Sequence, residues 1–301
     1  MSDHFQALLA RAALSSPSPP PGLSAVDSAS KQLSAMPLKY VQLSLSSRTS
    51  GMSREDADTV PDRIDGAIAP HSLISFPGKL VKLHLPNADI RYMSEMFSRN
   101  ESNQYMDSLY RHKSTGVSSN QWDRFGKGRY VVQWSNPPGM KYVFSDCEYI
   151  ASEFPEFVEK IRQKIIQILL PIYGEEKTNF NYCVCNCYMN GFAGVNWHTD
   201  AEPHLVPDCP IACVSFGSER VFSLTKIPNS ITAQIDTTNS LNVRLESGSL
   251  IVMAGETQRN YLHAIAKETG VREPRFSLTF RVNYPGSPRH SNKHPGKSYL
   301  E

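Results

Sequence analysis

Three side chains with metal-binding chemistry stand out: His198 and Asp200, two positions apart, and His263 well downstream. On an extended backbone His198 and Asp200 point to the same side. Two imidazoles and one carboxylate make the facial set that holds non-heme Fe(II) and leaves positions open for oxygen and a cosubstrate. By itself a His-x-Asp pair is more often a surface turn closed by a His–Asp hydrogen bond.

The C-terminal strand shifts that balance. Arg275-Phe276-Ser277-Leu278-Thr279-Phe280-Arg281 alternates polar and apolar throughout. Arg275, Ser277, Thr279 and Arg281 then share one face, and Phe276, Leu278 and Phe280 the other. Two inward-facing arginines are costly unless anions meet them. They lie about 20 Å apart along an extended strand, so a short diacid between them suits both better than one small carboxylate. The stretch Phe180–Tyr188 also reads as a strand, with Asn186 and Tyr188 on one face and Cys183, Cys185 and Cys187 on the other. Gly191 and Gly194 break that pattern and re-aim the chain before His198.

The order of these pieces resembles the AlkB family. The resemblance rests on Asn186-x-Tyr188, on His198-x-Asp200 with Glu202 close behind, and on Pro210–Gly217. It continues through Gly248–Met253, His263, and Arg275-x5-Arg281 ending in Leu278-Thr279-Phe280-Arg281, and it runs from about Leu80 to Asn283. It implies a dioxygenase that uses Fe(II), 2-oxoglutarate and O2 to strip alkyl groups from bases of DNA or RNA, releasing formaldehyde, succinate and CO2. By the same resemblance His198, Asp200 and His263 hold the metal, and Arg275 takes the distal carboxylate of 2-oxoglutarate. Asn186, Tyr188 and Ser277 contribute hydrogen bonds to it, and Arg281 sits nearer the metal. Ser277 departs from the Asn often found there. Tyr142-Val143-Phe144-Ser145 resembles the family's Tyr-x-Phe-Ser strand, which makes Tyr142 and Phe144 base-pocket residues and Phe144 the stacking ring. Glu202 stands where the family sets an acid against the base's exocyclic amine, which suits methylated adenine or cytosine. Competing readings are a 2-oxoglutarate-dependent hydroxylase of a protein or small molecule, and a nucleic-acid binding module without turnover.

Stepping outward from the site, the chain has 301 residues, enough for one large domain or two small ones. Lys+Arg 31 against Asp+Glu 29 gives +2, so nucleic-acid binding must rest on a local patch. Residues 111–145 supply one, with Arg111, Lys113, Arg124, Lys127, Arg129 and Lys141 interleaved with Trp122, Phe125, Tyr130 and Trp134. Cations take phosphates and rings stack on bases, and a solvated hairpin with ordinary core aromatics is the bland alternative. The resemblance makes this stretch a nucleotide-recognition lid.

Residues 1–61 are rich in Ser, Pro and Ala and are expected to be disordered. Residues 62–285 form the oxygenase domain, and 286–301 a flexible basic tail. The domain is expected to be β-rich α+β, a double-stranded β-helix (jelly roll) with flanking N-terminal helices. Leu80–Leu85 reads as a strand. Asn87 then caps a helix carrying Ile90, Met93, Met96 and Phe97, and a second helix runs through Tyr105, Met106, Leu109 and Tyr110. Ser152 caps a further helix with Phe157, Ile161, Ile165 and Ile168 buried. Gly217-Ser218 and Ser247-Gly248 mark hairpins. The alternating cysteines are poorly placed to bridge one another. A Cys-x-Cys-x-Cys zinc site has unusual spacing, so they pack the back of their strand and favour a reducing compartment. No stretch is apolar enough to span a membrane. A monomer inside the cell, nuclear or cytoplasmic, is expected.

Overall fold

A computed structural model of the chain describes residues 63–64, 78–114, 122–125, 128–144, 147–200, 202, 204–228 and 240–284. The segments 1–61 and 286–301 and parts of the lid lie outside the described residues. The N-terminal half holds β1 (Arg63–Ile64), β2 (Val81–Leu83), β3 (Asp89–Met93), α1 (Arg99–Ser114), β4 (Asp123–Phe125) and β5 (Arg129–Ser135). Next come β6 (Lys141–Phe144), β7 (Cys147–Ile150), β8 (Ser152–Glu153), α2 (Glu156–Tyr173) and the short α3 (Glu175–Thr178). The C-terminal half adds β9 (Tyr182–Tyr188), β10 (Val195–His198), β11 (Ile211–Gly217), β12 (Arg220–Lys226), β13 (Leu241–Leu245) and β14 (Leu250–Ala254). A short α4 (Thr257–Asn260), β15 (Tyr261–Ile265) and β16 (Arg275–Arg281) complete it.

Apart from the separate β6–β7 pair, the described strands form two facing sheets. The larger has ten strands, ordered β1-β2-β3-β14-β11-β16-β9-β5-β4 with β8 beside β5, and the smaller runs β10-β15-β12-β13. This is the expected jelly roll. Period-2 alternation explains why one sheet serves two cores. On its outer face Phe276, Leu278, Phe280, Cys183, Cys185 and Cys187 pack in one cluster with Leu109 of α1 and Val158, Ile161, Ile165 and Leu169 of α2. On its inner face Ile251, Met253, Ile211 and Cys213 meet Phe222, Leu224, Leu241 and Val243 of the smaller sheet. The three strand cysteines are buried free thiols, as a packing role requires.

Local chemistry sets the helix ends. Ser98 and Glu101 form a capping box at α1: the Ser98 N–H donates to Glu101 Oε2 at 2.8 Å and the Glu101 N–H to Ser98 Oγ at 3.3 Å. Gly174 closes α2, its N–H donating to the Leu170 carbonyl.

Several expectations are corrected. The predicted helix over Ile90–Phe97 is absent, and Asp89–Met93 is strand β3, paired with β14 and β2. Pairing on both edges overrides a helical spacing of only four apolar residues. Asn87 is a turn residue at φ 56°, not a cap. Ser152 does not cap α2, because Ser152–Glu153 pairs with β5 and Pro155 takes the N-cap position. The α2 stripe is centred on Val158, Ile161, Ile165 and Leu169, with Phe157 and Ile168 only partly buried. The two glycine turns are not hairpins. β11 pairs β14 and β16, whereas β12 pairs β13 and β15. Gly217 and Gly248, at φ 89° and 87°, therefore pass the chain from one sheet to the other.

Candidate active site

The two histidines meet because their strands are neighbours. His198 ends β10 and His263 is mid-β15, and they are direct register partners. Their ring centroids lie 4.1 Å apart. Asp200, just past β10, brings Oδ1 to 3.6 Å from His198 Nε2 and 4.0 Å from His263 Nε2. One ligand atom from each residue lies within 4.8 Å of the other two. The Asn196 carbonyl accepts from His198 Nδ1 at 2.8 Å, which leaves Nε2 as the lone-pair nitrogen facing the cluster. Gln258 Oε1 accepts from the Asp200 N–H at 2.9 Å and so tethers the turn that carries the carboxylate.

Electrostatics keep this set ready for a cation. Burial acts to raise the Asp200 pKa, but Arg281 and then the two imidazoles outweigh it and hold the carboxyl well below its usual range. Burial, with His198 adding to it, pushes His263 down to about 3, so its ring is neutral and a competent ligand.

The two arginines of β16 behave differently. Arg281 pairs with Asp200, Nη2 donating to Oδ2 at 2.7 Å, and its Nη1 donates to Tyr142 Oη at 3.1 Å. Arg281 thus already has a carboxylate partner within the chain, whereas the spacing alone suggests an external anion. Arg275 is 1 % exposed, and its Nη2 donates to Ser215 Oγ at 2.9 Å. Its Nε and Nη1 are buried with no hydrogen-bond partner among the described residues. A desolvated guanidinium edge with two free donors is a site for a carboxylate.

The neighbours of Arg275 on the paired strand could line a cosubstrate site. Tyr188 is its register partner and Asn186 that of Ser277. The Arg275 guanidinium lies 5.3 Å from the Tyr188 ring centroid. Burial raises the Tyr188 pKa, which keeps the phenol a donor. Asn186 Oδ1 accepts from Arg129 Nη1 at 3.3 Å.

At the other end, Tyr142 Oη donates to Glu202 Oε1 at 2.6 Å, and its ring stacks on Tyr182 at 5.5 Å. Glu202 Oε2 is buried with no partner among the described residues. Phe144 is on β6 in register with Cys147, and its side chain lies outside the described residues.

Thus His198, Asp200 and His263 come together, Asn186, Tyr188, Arg275 and Ser277 form a second group, and Arg281 with Tyr142 and Glu202 a third. The lid reading changes in part. Trp122 and Trp134 are 7 % and 0 % exposed and belong to the outer core rather than to a stacking surface. Lys113 lies 3.8 Å from the Tyr130 ring centroid. Arg129 turns inward to Asn186.

Sequence alone does not single out Gln258, Ser215 or Arg220, and it places Arg129 in the lid rather than against Asn186. Arg220 is fully buried, donates to the carbonyls of Ala193 (2.8 Å) and Ala266, and lies 3.4 Å from Glu268. It clamps the loop between β9 and β10, where a Cβ on Gly191 would sit 1.6 Å from the Glu268 carbonyl oxygen. The lone inward Arg opening β12 was the available signal.

A jelly roll whose inner face carries two imidazoles, one carboxylate and a desolvated arginine is the centre of a mononuclear-iron oxygenase with a keto-diacid cosubstrate. The chain belongs to the 2OG-Fe(II) oxygenase superfamily, whose family model matches residues 89–281. Among curated proteins it is 41 % identical over 115 residues to alpha-ketoglutarate-dependent dioxygenase alkB homolog 3 of Bos taurus, covering 37 % of this chain and 40 % of that protein. The Homo sapiens protein of that name matches with the same figures. DNA oxidative demethylase ALKBH2 of Mus musculus is 29 % identical over 147 residues, 49 % of this chain and 59 % of its own. The matched stretch therefore spans about 40 % of the first two relatives' length. The solved structure of OsALKBH1 superposes at a TM-score of 0.48 and 15 % identity, over 66 % of this chain and 99 % of its own.

The residues present fit Fe(II) and 2-oxoglutarate. The His–Asp–His donor set suits Fe(II). The two unpartnered buried donors of Arg275 suit the far carboxylate of 2-oxoglutarate.

Proposed function

We propose that this chain oxidatively removes N-linked alkyl groups from bases of DNA or RNA, using Fe(II), 2-oxoglutarate and O2 and releasing formaldehyde, succinate and CO2. The observation that carries the reading beyond a generic oxygenase is the part-buried Tyr142–Glu202 pair beside Asp200, with one carboxylate oxygen held and the other unpartnered. Such an oxygen accepts an N–H from a ring that carries an exocyclic amine. The name of the mouse relative, a DNA oxidative demethylase, supports this reading, and those of the cattle and human relatives support the dioxygenase chemistry.

Bound iron and 2-oxoglutarate supply, with O2, the hydroxylation of the carbon attached to nitrogen; the hemiaminal so formed releases formaldehyde. The chain's own work is placement. His198, Asp200 and His263 hold the metal. Arg275 anchors the distal carboxylate, while Asn186, Tyr188 and Ser277 line its path. Arg281 keeps Asp200 ionised and fixes the Tyr142 hydroxyl, which in turn orients Glu202 toward the base. A base in a duplex must leave the stack to reach this depth. We further propose that the protein acts as a monomer in a reducing, intracellular compartment, nuclear or cytoplasmic, in keeping with its buried free thiols.

The test is release of formaldehyde and succinate from N-methylated DNA and RNA strands, single and duplex, with iron and 2-oxoglutarate supplied. Formaldehyde in step with succinate is expected. Oligonucleotide binding without formaldehyde, or 2-oxoglutarate turnover indifferent to any oligonucleotide, overturns the reading.

A further inference from the structure

Around Tyr142 and the end of β16 lie more buried polar groups than the fold uses. His204 and Asn283 are 3 % and 2 % exposed. His204 Nε2, Asn283 Oδ1 and Asn283 Nδ2 join Glu202 Oε2 as buried polar atoms with no hydrogen-bond partner among the described residues. Buried polar groups are normally paired, and each one left unpaired costs stability. Four such atoms, on two residues that touch Tyr142 and on one two positions past Arg281, therefore point to a ligand.

Backbone pairing joins the two segments that carry them. Leu205 and Asn283 form an antiparallel bridge. The His204 carbonyl accepts from the Tyr284 N–H at 2.9 Å, and the Val282 carbonyl from the Val206 N–H at 2.8 Å. Val282 packs against the outer core, so alternation turns Asn283 to the same side as Arg281. The His204 ring stands edge-on to Tyr142 with centroids 4.3 Å apart. Burial, reinforced by Arg281, lowers His204 to about 4, so the ring is neutral and can offer a donor or an acceptor.

We propose that His204 and Asn283 are specificity-determining residues that extend the Tyr142–Glu202 wall and pair with the amino-bearing edge of the substrate's ring. The proposal rests on the dealkylase reading. A ring with an exocyclic amine beside an acceptor nitrogen or carbonyl, as in adenine and cytosine, offers both donor and acceptor to this wall. A ring left with only carbonyls on that edge, such as N3-methylated thymine, offers no N–H to Glu202.

The test compares wild type with His204→Phe, Asn283→Leu and the polar replacement His204→Gln, on oligonucleotides carrying N-methylated adenine, cytosine or thymine. For the two apolar variants, KM for the adenine and cytosine strands is expected to rise about tenfold, with kcat and KM for 2-oxoglutarate within about twofold. Their preference over the thymine strand should shrink, and Tm should rise because an unpaired polar group has gone. His204→Gln should recover most of the KM. Unchanged oligonucleotide KM together with a lowered Tm would mean that these groups serve a buried water network, and would overturn the proposal while leaving dealkylation intact. No formaldehyde from wild type on any strand overturns both.

Discussion

Arg281 and Asp200 form a buried ion pair at 2.7 Å, with the two side chains 7 % and 5 % exposed. The arginine that sequence spacing sets aside for a small anion is thus already engaged, and it is engaged with a metal ligand. Its role is to keep a carboxylate charged inside the protein before the metal arrives.

Replacing Arg281 by Met should therefore leave Asp200 as an uncompensated buried charge. The metal-free protein is expected to lose about 3–5 kcal/mol in a denaturant melt. Added Mn(II), a stand-in for Fe(II), should restore more stability to Arg281→Met than to wild type, because it supplies the missing positive charge. A loss under about 1 kcal/mol would show that the pair contributes little.

His198 is the most exposed member of the metal set, its side chain 30 % exposed. His198→Ala should abolish tight Mn(II) binding in calorimetry while shifting the metal-free Tm by only a few degrees, since little packing is lost. Retained binding at wild-type strength would end the three-ligand assignment.

Arg275→Lys keeps the charge and removes the planar two-donor edge. We expect KM for 2-oxoglutarate to rise by about 10–100-fold, with a smaller change in kcat. Ser215→Ala, which deletes only the hydroxyl that steadies Arg275, should raise it about twofold to tenfold. Equal effects from both would argue that Arg275 touches the cosubstrate only indirectly.

Stability of the metal-free protein should fall as pH drops from about 6.5 toward 4. His263 and His204 are neutral in the fold, at about 3 and about 4, against an ordinary value of 6.5. Over that window the unfolded chain binds protons that the folded chain refuses, so acid favours unfolding. Asp200, depressed in the fold, adds to the loss only below its ordinary carboxylate range. At pH 5.5 each histidine should cost roughly 1 kcal/mol relative to pH 7.5. His204→Phe should flatten part of the slope in pH-dependent melts, and an unchanged slope would contradict the buried neutral assignment.

Much of the site was legible because strand alternation is a short-range code. Arg275, Ser277 and Arg281 face inward as their spacing requires, with Phe276 and Phe280 behind them. Cys183, Cys185 and Cys187 occupy the reverse of the strand that presents Asn186 and Tyr188. What strand periodicity cannot carry is pairing across the fold. Nothing local announces that Arg281 will meet Asp200, that Gln258 will reach the Asp200 amide, or that Arg129 will turn from the lid to Asn186. The glycine turns were misread for the same reason: Gly217 and Gly248 look like hairpin tips, and only the partner strands reveal a change of sheet. Trp122 and Trp134 were misjudged because a large ring beside a cation reads alike whether it faces solvent or core.

The alternation of sheets at Gly217 and Gly248 also governs how the chain assembles. Residues consecutive in sequence enter opposite layers, so neither layer can be finished from a contiguous stretch. His198 finds His263 only after both layers are threaded, which makes assembly non-local and slow. A nascent chain cut short of Arg281 would hold every metal ligand in its sequence and still lack the strand that keeps Asp200 charged. Tight metal capture should therefore be a late event, and its onset during refolding a direct clock for closure of the barrel.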